Sequence, residues 1–283
     1  MPPTSSPPDG PSPDDGPGAL AAGPAAIGSP GAGSPGIGAP EISPEISPEI
    51  SVVVPVRNEA PNVGPLVAEI AAALAGTPHE IIYVDDGSTD GTAAAVRALG
   101  NVRLLRHAAS CGQSAAIVTG IRAARAPWIA TLDGDGQNDP ADIPRAWARA
   151  RAEGMDTMVA GWRTTRKDTA TKRVTSQIAN RIRAGLLGDA TPDTGCGLKV
   201  FPRDLFLTLP PFDHMHRFLP ALVIRAGGRV VSEPVGHRPR LRGVSNYGTL
   251  DRLAVGVVDL LGMIWLQRRW KRPRLLPDDP APS

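Results

Sequence analysis

From residue 51 onward, short apolar runs alternate with amphipathic stretches that have helical spacing. The apolar runs are rich in β-branched residues and end at glycine or polar residues, which is typical of buried parallel strands. The predicted strands are 51–56, 80–84, 102–105, 128–132, 155–160 and 230–235. The predicted helices are 62–74, 89–99, 113–124 and 140–152. Strands separated by helices of this length predict βαβ units and an α/β fold with a mostly parallel sheet.

Polar clusters follow three of the predicted strands. They are Arg57-Asn58-Glu59, Asp85-Asp86 and residues 133–139. In open parallel sheets, ligands bind beyond the carboxyl ends of the strands, so these clusters are expected to share one rim. Three such clusters on one rim are hard to explain by fold maintenance, and they predict a ligand site.

The loop at 133–139 is the strongest candidate for chemistry. Asp133 and Asp135 lie two residues apart in a glycine-relieved loop after a buried strand, and Gln137 offers a third oxygen. Ligands that are all oxygen favour Mg²⁺ or Mn²⁺ over zinc. The competing interpretation is an Asx-rich turn that caps the next helix, a task for which Asp139 is well placed.

The Asp85-Asp86 pair is more ambiguous on its own, because Asp-Gly sequences are common in turns. A carboxylate at a strand end can also accept hydrogen bonds from a nucleotide base or ribose. Both interpretations stay open for this pair.

Four motifs occur in order along the chain, and the likeness extends over about residues 51–250. They are Pro55-Val56-Arg57-Asn58-Glu59, Asp85-Asp86-Gly87-Ser88-Thr89-Asp90, Gly112-Gln113 and Asp133-Gly134-Asp135-Gly136-Gln137-Asn138-Asp139-Pro140. This set resembles the inverting family 2 glycosyltransferases with a GT-A (Rossmann-like) fold. Within that family it is most similar to the polyprenyl-phosphate glycosyltransferases of the dolichol-phosphate mannosyltransferase type.

The resemblance implies a nucleoside-diphosphate sugar donor, such as GDP-mannose or a UDP-sugar, a Mg²⁺ or Mn²⁺ ion, and a polyprenyl monophosphate acceptor. It assigns the metal to Asp133, Asp135 and Gln137. The residues implied for the nucleotide-sugar site are Pro55, Arg57, Glu59, Asp85, Asp86, Gln113 and Asp133. Arg57 departs from the family pattern, in which an aromatic residue is common at this position.

Two basic segments are candidates for binding the acceptor. Residues 161–183 hold seven basic residues and one acidic residue, and 237–247 holds a second basic cluster. Either segment is also compatible with a solvated surface. By resemblance, the acceptor-phosphate ligands are Arg163, Lys172, Arg173, Ser176, Asn180, Arg240, Ser245 and Tyr247. Lys172 and Arg240 are expected to act with Asp133 and Asp135 in catalysis.

Five further residues are of interest between the two basic segments. Asp193 and Lys199 match a family segment near the sugar, whereas Cys196 is expected to be a small buried residue. His214 and His216 lack a third metal ligand and are interpreted as surface or interface histidines.

The amino-terminal stretch differs in composition from the rest of the chain. Residues 1–50 contain 13 Pro, 9 Gly and no Lys or Arg, which predicts a disordered tail without a signal peptide. All 30 basic residues and 22 of the 28 acidic ones follow, a formal net charge of +8 for residues 51–283. Two cysteines exclude a disulfide framework and favour a reducing compartment.

The carboxyl-terminal stretch 250–270 combines apolar residues with the basic run 268–272. It predicts an amphipathic helix that lies on an anionic membrane surface or packs on the protein core. No apolar run is long enough to span a bilayer.

These observations predict a disordered tail (1–50), a GT-A glycosyltransferase domain (51–235) and an acceptor-site segment with an amphipathic helix (236–283). The expected activity is metal-dependent, inverting transfer of one sugar to a polyprenyl (undecaprenyl or dolichyl) phosphate. The protein is expected to be cytoplasmic, peripheral on the inner face of the plasma membrane, and without a nucleic-acid partner. One alternative is transfer to a saccharide or protein hydroxyl, for which Asp193 is the candidate base. Another is a non-catalytic binder of lipid surfaces or polyanions.

Overall fold

Seven strands form one sheet in the computed structural model, which describes residues 47–164, 185–189, 191–239 and 249–269. The strands are β1 Ile50–Val56, β2 His79–Asp85, β3 Arg103–Arg106, β4 Trp128–Thr131, β5 Thr157–Arg163, β6 Lys199–Pro202 and β7 Arg229–Val235. Their order across the sheet is β3-β2-β1-β4-β6-β5-β7. The predicted amino-terminal tail lies outside the described residues, apart from its last four positions.

The helices follow the strands in the order that the βαβ pattern predicts. They are α1 Ala60–Ala73, α2 Thr92–Arg97, α3 Gln113–Ala123, α4 Ile143–Glu153, α5 Arg203–Leu207, α6 Leu219–Ala226 and α7 Thr249–Arg268. Two 3₁₀ turns, Pro140–Asp142 and Met215–Arg217, precede α4 and α6. Asp139 caps the first of these turns, because its Oδ1 accepts a hydrogen bond from the Ala141 backbone at 3.0 Å.

Strand β1 divides the core between the two faces of the sheet. Its alternate side chains point in opposite directions, so Val52 and Val54 belong to one apolar cluster and Val53 to another. The first cluster includes buried side chains of α1 and α4, and the second includes those of α3 and α6. Apolar residues on both faces explain why β1 has no polar alternation in the sequence.

The sheet is mostly parallel, as predicted, but β6 was missed. Strands β1, β2, β3 and β4 are parallel neighbours, and β5 is parallel to β7. Strand β6 runs antiparallel between β4 and β5. Its four residues are all buried, and a run this short has no periodicity that would distinguish a strand from a loop.

Helix α7 is the predicted carboxyl-terminal helix, and it packs on the protein core along one side. Met263 is buried in the core, whereas Val258 and Trp265 are 68% and 59% exposed. No described helix is long and apolar enough to cross a membrane.

Candidate functional site: a carboxylate rim above a cationic pocket

The predicted rim exists, because β1, β2 and β4 are parallel and their following loops meet at one edge of the sheet. The first two loops are locked together by Asn58, which adopts a left-handed backbone with φ of 57°. Its backbone N–H donates to Ser88 Oγ at 2.9 Å, and its Oδ1 accepts from the Thr89 backbone at 2.8 Å. Arg57, beside it, is exposed.

The Asp85 and Asp86 carboxylates both accept hydrogen bonds from the protein itself. Asp85 is fully buried and accepts from the Ser88 backbone and from Arg106 Nε. Asp86 accepts four hydrogen bonds, from His107 Nδ1, Ser110 Oγ and the backbone N–H groups of Cys111 and Gly112. Burial alone would raise the pKa of Asp86, but these hydrogen bonds outweigh it and hold the pKa below its ordinary value. The two carboxylates therefore hold the loops of the rim together through hydrogen bonds.

Asp133 is held very differently at the end of β4. Its Oδ1 accepts a hydrogen bond from Gln113 Nε2 at 2.8 Å, which joins the metal candidate to the first residue of α3. Burial raises the pKa of Asp133, and the neighbouring Asp135 carboxylate raises it further. Burial and the nearby negative charge disfavour the ionised form of Asp133, and a bound cation would stabilise that form.

The rest of the loop faces the segment that follows β7. Asp135 Oδ1 accepts from the Gln137 backbone at 3.1 Å, and the Gln137 carbonyl accepts from the Arg238 backbone at 2.9 Å. Arg238 in turn pairs with Asp139 at 2.7 Å. These contacts fix the loop against residues 237–238, the first two residues of the second basic segment.

The donor set of this loop fits a hard divalent cation. The Asp135 carboxylate is close enough to Asp133 to raise the pKa of Asp133, and Gln137 adds an amide oxygen to the two carboxylates. Oxygen ligands of this kind suit Mg²⁺ or Mn²⁺.

A pocket of about 300 Å³ opens beneath Asp133. Its polar wall is built from the ends of β1 and β4, the start of α3, residues 194–197, and the turn before α6. The lining residues are Pro55, Gln113, Ile117, Thr131, Leu132, Asp133, Thr194, Gly195, Cys196, Gly197, Lys199, His216, Arg217 and Leu219. Gly197 is needed here, because a Cβ atom on it would lie 2.4 Å from Asp133 Cγ.

Two cationic residues line this pocket. Lys199 is buried and donates its Nζ hydrogen to the Cys196 carbonyl oxygen. Burial lowers the pKa of Lys199, an effect opposed by Asp133 and Asp193. Arg217 is half-buried in the same wall. The pocket therefore places a lysine and an arginine beside one carboxylate, a setting that suits anionic ligands.

His216, predicted to be a surface or interface histidine, lies half-buried in the pocket wall. His216 lines the pocket, where its Nδ1 lies 2.7 Å from Ser114 Oγ. Burial, aided by the charge of Lys199, lowers its pKa to about 3, so the imidazole is neutral at physiological pH. Ser114 and His216 are far apart in sequence, and only the position of Ser114 beside the Gly112-Gln113 motif offered a signal. His214 is also half-buried and lies 2.9 Å from Asp259 of α7.

Arg163, predicted as an acceptor ligand, is paired with Asp193. Its Nε and Nη2 donate to the two carboxylate oxygens of Asp193 at 2.6 and 2.8 Å. Both side chains are largely buried, and the Asp193 charge raises the pKa of Arg163 despite the burial. The fork backs the wall of the pocket, because Nη2 would lie 3.3 Å from a Cβ atom on Gly195.

Most of the predicted acceptor residues lie outside the described part of the chain. They are Lys172, Arg173, Ser176, Asn180, Arg240, Ser245 and Tyr247. The described residues bring together Pro55, Gln113 and Asp133 at the pocket. Cys196 is buried, as predicted.

Comparisons with known proteins agree with the motifs. The family model for glycosyl transferase family 2 matches residues 51–209. The dodecaprenyl-phosphate galacturonate synthase of Rhizobium johnstonii is 39% identical over 215 residues, covering 71% of this chain and 62% of that protein. The undecaprenyl-phosphate 4-deoxy-4-formamido-L-arabinose transferase of Aeromonas hydrophila is 33% identical, covering 61% of this chain and 54% of that protein. The chain thus spans less than two thirds of the length of either relative.

Solved structures share the fold at low identity. Mannosyl-3-phosphoglycerate synthase from Rubrobacter xylanophilus superposes with a TM-score of 0.62 at 20% identity, covering 81% of this chain and 78% of that chain. Glucosyl-3-phosphoglycerate synthase from Mycobacterium tuberculosis, in complex with Mn²⁺, UDP and glucosyl-3-phosphoglycerate, gives 0.57 at 22% identity, covering 78% and 80%. The predicted GT-A fold is confirmed by these neighbours. The family model covers more than half of the chain, and the protein belongs to glycosyl transferase family 2.

Proposed function

We propose that the protein transfers one sugar from a nucleoside-diphosphate sugar to a polyprenyl monophosphate. The observation that carries this proposal is the Asp133–Gln137 loop above a pocket with two cationic residues. Two relatives support the acceptor class, since both are named as enzymes that place a sugar on a polyprenyl phosphate. GDP-mannose and UDP-sugars remain the candidate donors.

The donor would lie along the rim between the β1 loop and Asp133. Pro55, Gln113 and Asp133 are the nucleotide-sugar residues that also line the pocket, and exposed Arg57 is available to the nucleotide. Asp85 and Asp86 would act by holding the rim in shape, because their oxygens are already hydrogen-bonded within the protein. Glu59 would act in the same way, through its hydrogen bond from Asn62.

Asp133, Asp135 and Gln137 would hold Mg²⁺ or Mn²⁺. Such an ion neutralises charge that builds on the leaving diphosphate oxygen during transfer. The Gln113 hydrogen bond orients Asp133 towards the pocket for this task.

A phosphate acceptor would need no general base at the pocket. A phosphate monoester has a second pKa of about 6 and is largely a dianion at pH 7, so its oxygen attacks without losing a proton. The attack in line with the leaving group inverts the anomeric carbon. Asp193, the candidate base for a hydroxyl acceptor, is engaged by both arms of the Arg163 fork. This pairing favours the phosphate acceptor over the hydroxyl.

Cationic residues from several segments would surround the acceptor phosphate. We assign this role to Lys172, Arg173, Ser176, Asn180, Arg240, Ser245 and Tyr247, by resemblance to the family. Arg163 would position the pocket wall through Asp193, without contacting the phosphate. Residues 51–235 would then form the donor-binding domain, and residues 236–283 would complete the acceptor site.

A lipid acceptor requires access to a membrane surface, and α7 has a suitable face. Val257, Val258, Leu261 and Trp265 are exposed on it, and Arg268 and Arg269 follow at its end. An apolar face that ends in arginines suits the interface of an anionic membrane. We propose peripheral attachment at the cytoplasmic face of the membrane.

The test measures transfer of labelled sugar from a panel of nucleotide donors to undecaprenyl phosphate, extracted into butanol. Transfer from one donor is expected with Mn²⁺ and is expected to be lost on chelation and in Asp135→Asn. Asp204→Asn, a change at an exposed carboxylate, is the matched control and should keep activity. Transfer only to water-soluble acceptors would replace this proposal with hydroxyl transfer. Metal-independent lipid binding without transfer would indicate a non-catalytic binder.

A further inference from the structure

Three side chains with different ligand chemistry meet below the rim, next to the end of β2. They are Asp86, His107 and Cys111, and a carboxylate oxygen, a ring nitrogen and the thiol sulfur lie within 4.8 Å of one another. Asp86 follows β2, His107 follows β3, and Cys111 lies two residues before α3. The group is separate from the oxygen-only loop at 133–137.

The loop that carries Cys111 is fitted closely to the turn that carries Asp86. Gly87 has φ of +70°, and a Cβ atom on it would lie 2.6 Å from the Ser110 backbone nitrogen. The Cys111 backbone donates to Asp86 Oδ1 at 2.8 Å, and the Gly112 backbone donates to Oδ2 at 2.9 Å. These contacts hold the exposed thiol beside the carboxylate.

The His107 ring is oriented from both of its nitrogens. Nδ1 lies 2.7 Å from Asp86 Oδ1, and Nε2 lies 3.0 Å from Thr119 Oγ1. A histidine that binds metal through one nitrogen usually donates a hydrogen bond from the other. In the structure Nδ1 donates to Asp86, so cation binding would require the tautomer with the proton on Nε2, donated to Thr119 Oγ1, and the Nδ1 lone pair directed at the cation.

We propose that Asp86, His107 and Cys111 bind a thiophilic divalent cation of the zinc class, distinct from the Mg²⁺ or Mn²⁺ of the transfer reaction. Nitrogen, sulfur and oxygen donors are the ligand set of zinc, whereas Mg²⁺ takes oxygen alone. The cation replaces the hydrogen bond between His107 and Asp86, the thiol releases its proton to solvent, and a water molecule completes four ligands.

The required movement is small. Bonds of about 2.0–2.3 Å to a tetrahedral ion place its ligand atoms roughly 3.2–3.8 Å apart. The Asp86–His107 pair must open from 2.7 Å, and the sulfur must approach from its exposed position. Rotation of one exposed side chain and a small opening of the pair meet this geometry.

Binding of a cation at this site is expected to affect the candidate donor site. Gln113 follows Cys111 by two residues and donates to Asp133 Oδ1 at 2.8 Å. A cation bound by Cys111 would lie two residues from the side chain that orients Asp133, and we expect its charge to change the strength of that hydrogen bond. This consequence rests on the proposed function, whereas binding of the cation does not.

Co²⁺ is the probe for binding, because a thiolate bonded to Co²⁺ gives a charge-transfer band in the near ultraviolet. The full chain is titrated with Co²⁺ in the presence of excess Mg²⁺, which occupies oxygen sites. We expect a band that saturates at one equivalent and disappears when Zn²⁺ is added. Cys111→Ser should abolish it and weaken Zn²⁺ binding by about 100-fold, since one of three protein ligands is lost.

Cys196→Ala is the matched control, because this second cysteine is buried and is not one of the three clustered ligands, and the band should persist. His107→Gln should weaken the band as Cys111→Ser does, and the thermal melting of each variant checks that it is folded. The absence of a band in the wild type, or its persistence in folded Cys111→Ser, would overturn the proposal. An active enzyme without the band would reject the zinc site and leave the proposed function intact.

Discussion

Asp86 and Asp133 each follow a parallel strand of the same sheet, yet their surroundings drive their pKa values in opposite directions. Asp86 receives four hydrogen bonds from residues 107–112, and its pKa is lowered. Asp133 accepts one hydrogen bond, from Gln113, among the described residues, and its pKa is raised by burial and by Asp135.

The difference indicates that Asp86 stabilises the rim, whereas Asp133 is available for function. The hydrogen-bond donors to Asp86 all come from residues 107–112, and the carboxylate holds this segment in place in return. The negative charge of Asp86 is therefore stabilised within the protein. At Asp133, Gly197 provides space and Asp135 adds a second negative charge. Asp133 therefore retains a negative potential for an incoming cation, at a cost in stability, as is common at functional sites.

The largest effect is expected for Asp133→Asn. Loss of a metal ligand should lower sugar transfer by about 1000-fold. The free energy of unfolding should stay constant or rise by about 1 kcal/mol, because a desolvated charge and its repulsion with Asp135 are removed. Transfer assays and urea denaturation measure the two quantities. A large loss of stability would show that Asp133 is a structural residue like Asp86.

Asp86→Asn should give the opposite result. The amide turns a donor towards groups that already donate, so we expect the free energy of unfolding to fall by about 2–3 kcal/mol. Urea denaturation at pH 7 measures this change, with Asp204→Asn as the exposed control. If Asp86→Asn were as stable as the wild type, Asp86 would not be a structural residue and would not differ from Asp133 in this respect.

The sequence predicted most of the parallel sheet and the loop that carries the chemistry. Strands β1 and β2 were placed to within one residue at each end, because their continuous β-branched runs are bounded by polar residues. The first end of α3 was placed at Gln113, where the structure has it.

What the sequence did not predict depends on contacts between distant residues. The lowered pKa of Asp86 depends in part on hydrogen bonds from the backbone N–H groups of Cys111 and Gly112. No local sequence pattern predicts that these groups point at Asp86. His216 reaches Ser114 across 102 positions, so its burial could not be read from its neighbours. Helix α2 starts at Thr92, three residues after its predicted start, because Asp90 uses its side chain to accept from the Thr92 backbone.

Gly197→Ala tests whether the space around Asp133 is required. A Cβ atom would lie 2.4 Å from Asp133 Oδ2 and 2.7 Å from Asn138 Oδ1, so the carboxylate must move. A displacement of this order should lower transfer by about 30-fold. Gly195→Ala is the matched control, because its nearest neighbour would be Arg163 Nη2 at 3.3 Å and its effect should be smaller. Equal activities of the two variants would contradict the steric argument.

The smallest effect concerns the histidine on each side of the comparison. His107 contacts the Asp86 carboxylate, whereas His216 contacts the Ser114 hydroxyl and has its pKa lowered to about 3. Between this value and about 6.5, the unfolded chain binds a proton that the folded chain does not, so acid destabilises the fold. His216→Gln removes this proton linkage. Between pH 8 and pH 5 its free energy of unfolding should therefore fall by about 1–2 kcal/mol less than that of the wild type, after allowance for partial exposure. Urea denaturation at both pH values measures the difference, and parallel pH profiles of the two proteins would mean that His216 titrates normally and that the pocket wall is open to water.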